Sequence, residues 1–250
     1  MIAIQNFQQR LYARYDKGLS LPPTYQYLYG HPVRPVIPLE TAPRPVCLIG
    51  ASPAARLAAV GPERDVPVAD EGRPFSTEPY FDGRRIRANP AGTALTELYL
   101  APLGLRREQC WPTYLVRLFL FTDEHLARYR RLGCPWPEWE THSRFETLAR
   151  PGLAWLEEEL ALVQPRLVIT LGAEVAAALQ DVRGLEAGEA LLSGDLQDLW
   201  LGETVYPALH LAGPTRLISS LTAPNPWPRL HHERHLPAAR NVVERLIKLR

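Results

Sequence analysis

The sequence predicts a three-layer α/β/α protein with a central, mainly parallel sheet. Two apolar segments, residues 45–50 and 166–172, each end at a glycine, and the second runs directly into an alanine-rich segment that favours helix. Short runs of β-branched and leucine residues without polar alternation are typical of strands that are buried on both faces. Strand and helix segments alternate along the chain, so we expect right-handed crossovers between parallel strands.

The residues before the first strand are predicted to form a small N-terminal unit. Residues 2–16 have the apolar spacing of an amphipathic helix, and residues 19–45 are rich in proline and tyrosine without a clear period. We therefore expect residues 1–44 to form a helix and an extended arm that pack on a single domain over residues 45–250.

The elements of that domain are predicted in chain order. After the first strand we expect an irregular stretch, a helix, a strand, and two helices separated by a proline–tryptophan loop. The corresponding ranges are 51–82, 91–100, 111–121, 123–131, 133–139 and 145–163. The strand at 166–172 and a helix at 173–180 follow. The remaining ranges are an ambiguous segment at 186–200 (hairpin or short helix), a strand at 204–209 that leads to His210, and a closing helix at 237–249.

Composition and charge narrow the functional classes. Hydrophobic residues make up 46% and charged residues 22% of the 250, and the net charge is +1, which is ordinary for a soluble globular protein. No apolar run approaches the length of a membrane span and the first residues are too polar for a secretory signal, so a cytoplasmic protein is expected. Cys47, Cys110 and Cys134 lack CxxC spacing, which favours free thiols over a disulfide or a metal site. Neither of the glycine-rich phosphate-binding motifs of nucleotide enzymes occurs.

Five short motifs occur in a fixed order between residues 45 and 216. They are GASPA at 50–54, GRPF at 72–75, TYLVR at 113–117, RLVITLGAEVAAALQ at 166–180, and His210 after a predicted strand. In order and spacing they resemble the motifs of the uracil-DNA glycosylase superfamily, most closely those of its bacterial and archaeal branches. The resemblance covers most of the predicted domain.

This resemblance implies a DNA glycosylase. Such a protein would flip uracil or another deaminated base out of single- or double-stranded DNA and hydrolyse its N-glycosidic bond, as in base excision repair. The four cysteines that hold the iron–sulfur cluster of some branches are absent, so no cofactor is expected, and we expect a monomer. The alternative is a relative that binds nucleic acid or a nucleobase without catalysis, and a hydrolase of another substrate is a more distant one.

The resemblance also assigns site residues by position. Gly50 and Ala51 correspond to the first loop of the base pocket, and Phe75 to the aromatic residue that stacks on the base. His210 corresponds to the donor that stabilises the departing base anion. Phe75 could equally be a core residue, and a histidine after a strand is more commonly an ordinary loop residue.

Several positions depart from the family pattern. Ala51 stands where the iron–sulfur-containing branch has a glutamate, which leaves Ser52 and nearby carboxylates as candidates for positioning water. Tyr114 stands where a base-reading asparagine is common, and it either closes the pocket, reads a different base or points into the core. His210 is followed by Leu-Ala-Gly-Pro instead of Pro-Ser, so Leu211 or Leu217 could act as an apolar wedge in DNA.

Arginine clusters are candidate DNA contacts, although solvated faces explain such clusters more often. The clusters are Arg84, Arg85 and Arg87, which follow the GRPF motif, and Arg128, Arg130 and Arg131 on a predicted helix. The carboxylates near Phe75 are Asp70, Glu71, Glu78 and Asp82, and a solvated loop face explains them better than a role in positioning water. The sequence HHERH at 231–235 lacks the His-Glu-x-x-His order of zinc enzymes and could instead contact phosphate, so no metal site is expected.

Overall fold

The computed structural model describes residues 2–18, 25–134, 141–181, 196–201, 203–211, 236–237 and 239–247. It contains both helices and strands. In chain order they are α1 (Ile2–Gly18), β1 (Val46–Gly50), β2 (Ala55–Val60), β3 (Glu63–Asp70), β4 (Pro79–Phe81), β5 (Ile86–Ala88), α2 (Pro90–Ala94), a π-helical turn (Leu95–Leu100), β6 (Cys110–Tyr114), α3 (Asp123–Arg131), α4 (Phe145–Val163), β7 (Leu167–Leu171), α5 (Ala173–Asp181), β8 (Leu196–Leu201) and β9 (Thr204–Leu211). Residues 236–237 and 239–247 are also helical.

Five strands form the central sheet in the order β6-β1-β7-β9-β8. The first four run parallel, and β8 pairs antiparallel with β9 at one edge. The four parallel strands therefore have their carboxyl ends along one edge of the sheet, where Gly50 pairs with Tyr114 and Thr170 pairs with His210. The predicted α/β/α fold class with a mainly parallel sheet is confirmed.

Helices cover both faces of this sheet and give each face its own apolar core. On one face, α4 and α5 pack on side chains such as Ile49, Trp111 and Val168. On the other face, the π-helical turn and the C-terminal helical residues pack on Leu48, Ile169 and their neighbours. Helix α1 and the arm after it contribute to a third cluster at the α3 side of the molecule. None of the helices in the described ranges is long and apolar enough to cross a membrane.

A buried ion pair joins the edge strand β6 to helix α4. The side chains of Arg117 and Glu159 are fully buried, and Arg117 Nη2 lies 2.6 Å from Glu159 Oε2. Glu159 also accepts hydrogen bonds from Trp111 Nε1 at 2.9 Å and from Thr113 Oγ1 at 3.1 Å. A buried carboxylate with three donors is satisfied only if α4 keeps its register on β6, so this group fixes how the two elements pack.

The structure corrects the predicted strands in two places. Residues 51–82, predicted as irregular, contain the antiparallel hairpin β2–β3 and the strand β4. The proline in β3, Pro67, pairs with Leu57 beside a register shift, and this irregularity breaks the alternation that identifies a strand in sequence. The strand predicted at 111–121 ends at Tyr114. The residues that follow remain buried but no longer form regular backbone pairs with a neighbouring strand.

The last strand is longer than predicted. β9 ends at Leu211, so His210 lies inside a strand and not in a loop after it. In the ambiguous segment at 186–200, residues from Leu196 onward form β8, and residues 182–195 lie outside the described ranges, as do residues 135–140 of the predicted proline–tryptophan loop. The closing helix predicted at 237–249 is helical wherever it is described.

We predict that Glu159→Ala lowers the free energy of unfolding by about 3–5 kcal/mol, because it leaves the Arg117 guanidinium buried without its partner. Urea denaturation at pH 7 measures the change. The matched control is Glu158→Ala, since Glu158 is the neighbouring carboxylate on α4 and its pairs, with Arg10 and Arg14, are both at the surface. That variant should lose no more than about 1 kcal/mol. Equal losses in the two variants would contradict the role of the buried pair.

Candidate functional site

Two aromatic rings pack directly on the glycine that ends the central strand β1. A Cβ atom on Gly50 would lie 2.6 Å from Cζ of Phe75 and 3.0 Å from ring carbons of Tyr114, so no other residue fits there without displacing a ring. The two rings are tilted by 38°, with their centroids 4.7 Å apart, and both are buried. In open parallel sheets ligands bind outside the carboxyl ends of the strands, and this cluster lies at that edge.

The loop that carries Phe75 is held in a strained conformation. Phe75 has φ +52°, a left-handed conformation that costs a non-glycine residue about 1–3 kcal/mol and is common at functional sites. Its amide N–H donates to the Tyr114 hydroxyl oxygen at 2.9 Å. On its other side, Gly92 of α2 approaches so closely that a Cβ would lie 2.2 Å from the carbonyl oxygen of Ser76. Arg107 Nη2 donates to the Pro74 carbonyl at 2.6 Å, so the loop is fixed from three directions.

The carboxyl group of Glu71 connects all parts of this cluster. The Tyr114 hydroxyl donates to Glu71 Oε1 at 2.5 Å, and the amide of Ala54 donates to the same oxygen at 3.2 Å. Oε2 accepts from the amide of Ser76 at 3.2 Å and from Asn89 Nδ2 at 3.1 Å. Glu71 is 3% exposed. The interpretation of this residue as part of a solvated loop face is therefore wrong.

The pKa of Glu71 lies close to neutrality. Burial raises the pKa of Glu71 to about 7. The hydrogen bonds from Tyr114 and from the amides of Ala54, Ser76 and Phe75 lower the pKa and offset part of that rise. Burial, together with the charge of Glu71, raises the pKa of Tyr114 well above its usual value, so the tyrosine remains a phenol. When Glu71 is protonated, its O–H can donate to the tyrosine oxygen, which leaves the tyrosine O–H free to donate to another acceptor.

His210 lies at the same edge of the sheet but is bonded differently. It is buried, and its Nδ1 lies 2.7 Å from Oγ1 of Thr170 on the neighbouring strand β7. Burial lowers the pKa of His210 to about 4, so the ring is neutral at pH 7. With the Thr170 hydroxyl donating to Nδ1, the ring proton is on Nε2, which then becomes a hydrogen-bond donor.

Phe75 and Tyr114 pack on one face of the sheet, whereas the side chain of His210 points to the opposite face. Leu209 and Leu211, on either side of His210, belong to the same apolar cluster as Phe75 and Tyr114, and side chains alternate along a strand. Gly50 and His210 are two strands apart, which corresponds to about 10 Å. A single ligand can therefore contact both the aromatic pair and His210 only if it lies beyond the carboxyl ends of the strands, where the two faces of the sheet meet.

The other predicted site residues are distributed around this edge. Ala51 and Ser52 follow Gly50 and are half-buried. Leu211 is 4% exposed and packs in the core, so it is not the exposed apolar wedge that we expected. Arg117, from the TYLVR motif, belongs to the buried pair with Glu159 and does not contribute to the site. The other wedge candidate, Leu217, lies outside the described residues.

Arginines 84, 85 and 87 lie on the hairpin β4–β5. Arg84 and Arg85 are exposed, although Arg85 lies 3.9 Å from Asp82, whereas Arg87 is half-buried and paired with Asp65 at 3.0 Å and with Asp82 at 3.6 Å. The second arginine cluster is partly used in structure, since Arg128 pairs with Glu124 and Arg131 with Glu63. Of the two clusters, only the hairpin cluster has arginines in the loop that leads away from Phe75.

The remaining carboxylates near Phe75 do not reach the aromatic pair. Asp82 is buried in the hairpin turn, where it accepts from two backbone amides, and Asp70 accepts from the Tyr27 hydroxyl and the Arg34 amide. Glu78 is exposed. Within the described ranges, no three His, Cys, Asp or Glu side chains come together in a way that could hold a metal ion, and residues 231–235 lie outside those ranges.

We predict that the free energy of unfolding falls by about 3 kcal/mol as pH rises through the window from about 4.5 to about 7, owing to Glu71. In that window the folded protein retains the Glu71 proton, which the unfolded chain has already released. The measurement is urea unfolding of wild type and Glu71→Gln at several pH values, since the difference between them isolates this residue from Asp70 and His210. Glu78→Gln, in the same loop but exposed, is the control and should follow the wild-type profile. Identical pH profiles for wild type and Glu71→Gln would refute the prediction.

Comparison with known families supports the resemblance found in the sequence. A family model described as the uracil DNA glycosylase superfamily matches residues 40–246. No curated protein matches the chain. The matched segment contains all five strands of the central sheet together with the loops that carry Glu71 and Phe75. The chain therefore belongs to the uracil DNA glycosylase superfamily.

Proposed function

We propose that this protein releases uracil or another deaminated base from DNA by hydrolysing the N-glycosidic bond. Its superfamily supports a DNA glycosylase-like function in general, and the base class and the repair role are the additions proposed here. The observation that carries the proposal is the aromatic pair of Phe75 and Tyr114 packed on Gly50, at the edge of the sheet where α/β proteins bind ligands.

In the proposed reaction the bond between C1′ of the sugar and the base nitrogen breaks, and the base leaves with both electrons. A water molecule then attacks the oxocarbenium carbon and forms the C1′–O bond, and the proton that it loses neutralises the departed base anion. Phe75 supplies an aromatic face for the flipped base, and Nε2 of the neutral His210 donates to the base oxygen on which negative charge develops. Ser52, half-buried directly after Gly50 and Ala51, is the residue that we assign to positioning the water.

Tyr114 controls access to this site. Its ring lies against Phe75 and Gly50, and its hydroxyl both donates to Glu71 and accepts from the Phe75 amide. A base can stack on Phe75 only after the tyrosine has moved and both hydrogen bonds have broken. We therefore propose that Tyr114 is a gate that holds the site closed in the absence of DNA.

A second candidate function is binding of DNA or a nucleobase without catalysis. The same tyrosine favours it, because a filled and fully hydrogen-bonded position needs no ligand to satisfy its polar groups. The absence of a carboxylate at Ala51 favours it as well. Incubation with oligonucleotides that contain uracil, hypoxanthine or xanthine, followed by alkaline cleavage, separates the two candidates. Strand breaks indicate a glycosylase, and retention on a gel without breaks indicates a binding protein.

We predict that His210→Ala lowers the single-turnover rate of base release by about 100-fold or more, with little loss of DNA affinity. The donor acts on charge that is present only in the transition state, so binding of the ground state is unaffected. Rapid-quench cleavage of a uracil-containing oligonucleotide measures the rate, and fluorescence anisotropy measures affinity. His31→Ala, in the exposed N-terminal arm, is the control and should retain the wild-type rate. Equal rates for wild type and His210→Ala would remove His210 from the mechanism.

We predict that Tyr114→Asn raises base release or creates it, because the smaller amide vacates the position beside Phe75 and offers both a donor and an acceptor to the base. Tyr114→Phe is the matched control, since it removes the hydroxyl but keeps the ring in place. The same cleavage assay measures all three proteins, and circular dichroism checks their folding. If Tyr114→Asn is folded and releases no more base than Tyr114→Phe, the tyrosine is a core residue and not a gate.

A further inference from the structure

The hairpin β4–β5 exposes two large apolar side chains as a cross-strand pair. Phe81 and Ile86 are partners in the register of the hairpin. Phe81 is 68% exposed and Ile86 is 75% exposed, in a protein whose other large apolar side chains are mostly buried. A cross-strand pair of this kind presents one continuous apolar surface, and such a surface on a soluble protein commonly marks an interaction site.

The exposed pair is held rigidly. Each strand of the hairpin has only three residues, which is too short for independent stability. The turn is fixed by Asp82, whose carboxylate accepts from the amides of Arg84 and Arg85 at 2.9 Å each, and whose carbonyl accepts from the amide of Ala59 at 3.0 Å. The hairpin is thus anchored to β2, and the apolar pair is presented in a fixed place at low cost in conformational entropy.

The base of the hairpin is connected to the candidate active site. Asn89, the first residue after β5, donates to Glu71 and caps helix α2. Strand β2 starts beside the same carboxylate, because the Ala54 amide donates to Glu71. The hairpin turn is hydrogen-bonded to Ala59, four residues after Ala55 at the start of β2. Four strand residues span about 13 Å, so the turn lies about that far along β2 from the Glu71 carboxylate. In B-form DNA that distance spans about four base pairs.

The charges around the pair match a nucleic-acid partner. Arg84 and Arg85 in the turn are exposed, and the side chain of Arg85 is 76% exposed. Arg87 pairs closely with Asp65 of β3 and with Asp82, whereas Arg85 is only 3.9 Å from Asp82 and stays largely in solvent; the carboxylate of Asp82 is itself buried in the turn. The surface that remains is an apolar pair flanked by guanidinium groups. Aromatic and aliphatic side chains pack on bases, and arginines contact phosphates.

We propose that the hairpin β4–β5 is a DNA-contacting arm in which Phe81 and Ile86 pack against bases about four base pairs from the flipped nucleotide, while Arg84 and Arg85 contact the flanking phosphates. The proposal rests on the proposed function for its ligand. It adds the apolar pair as the part of the arm that binds bases. It assigns only Arg84 and Arg85 to the DNA backbone, since the side chain of Arg87 is 23% exposed and pairs closely with two carboxylates within the protein.

The test separates apolar from ionic contacts by their salt dependence. Affinity for a single-stranded oligonucleotide, and for a duplex with a central U·G mismatch, is measured by fluorescence anisotropy at several salt concentrations. Phe81→Ala and Ile86→Ala should each weaken binding by about 10-fold without changing the slope of log K against log salt. Arg84→Gln with Arg85→Gln should flatten that slope by about 0.7 per lost phosphate contact on the single strand and about 0.9 on the duplex.

Two control variants accompany the test. Ile2→Ala removes an isoleucine of nearly the same exposure, 74%, at the start of α1, and it should bind DNA as the wild type does. Arg87→Gln should leave the salt slope unchanged. Melting temperatures check that the hairpin variants are folded, which is expected because Phe81 and Ile86 contribute exposed and not buried surface.

Each outcome bears on the arm separately from the proposed function. If the wild type binds and cleaves DNA, and Phe81→Ala and Ile86→Ala bind it equally well, the hairpin is not a DNA-contacting arm and the proposed function stands. The expected losses of affinity in a protein that releases no base support the arm and remove the proposed catalysis. Variants that change self-association in sedimentation without changing DNA affinity show a protein interface and overturn the arm. No DNA binding by the wild type at low salt overturns both.

Discussion

The candidate site depends on one buried carboxyl group. Glu71 receives hydrogen bonds from its own loop, which carries Phe75, and from three segments 17 to 43 residues away: the loop after β1, the end of β6 and the N-terminus of α2. Burying a carboxyl group is unfavourable unless its oxygens are satisfied, and here each oxygen has two donors. The segments that form the site are therefore linked to one another, and displacement of any of them leaves a buried acceptor without its partner.

Close packing on glycine provides the second constraint. A Cβ atom on Gly50 would lie 2.6 Å from the Phe75 ring, and a Cβ atom on Gly92 would lie within 2.6 Å of the backbone of Phe75 and Ser76. The aromatic ring and its loop are thus clamped between β1 and α2. This clamp fixes the ring and the loop backbone, and the Glu71 network adds hydrogen bonds to the same loop, so the two together maintain Phe75 in its unfavourable backbone conformation.

The sequence predicts the parts of this protein that follow a strong local pattern. Helix α4 and strand β7 were predicted almost to the residue, because an amphipathic period of that length and an apolar run before a glycine have few alternatives. The hairpin β2–β3 was missed because Pro67 and a register shift interrupt its alternation. The burial of Glu71 was missed as well, because its partners Tyr114 and Asn89 are 43 and 18 residues away and nothing in the local sequence ADEGRPF indicates them. The position of Tyr114 at a strand end follows from sequence, whereas its packing on Phe75 follows only from the approach of two distant segments to Gly50.

With Tyr114 as the proposed gate, its hydrogen bonds also set the population of molecules that could accept a ligand against Phe75. A bond to a charged group contributes about 1.5–3 kcal/mol and an amide–hydroxyl bond about 1 kcal/mol. Breaking both leaves roughly one molecule in a hundred to one in a thousand with the tyrosine displaced. The apparent dissociation constant of any such ligand is the intrinsic constant divided by that fraction. In the proposed function, weak capture of a flipped base is then a property of the resting equilibrium. A mismatched base costs less to unpair, so more of its binding energy remains to displace the tyrosine.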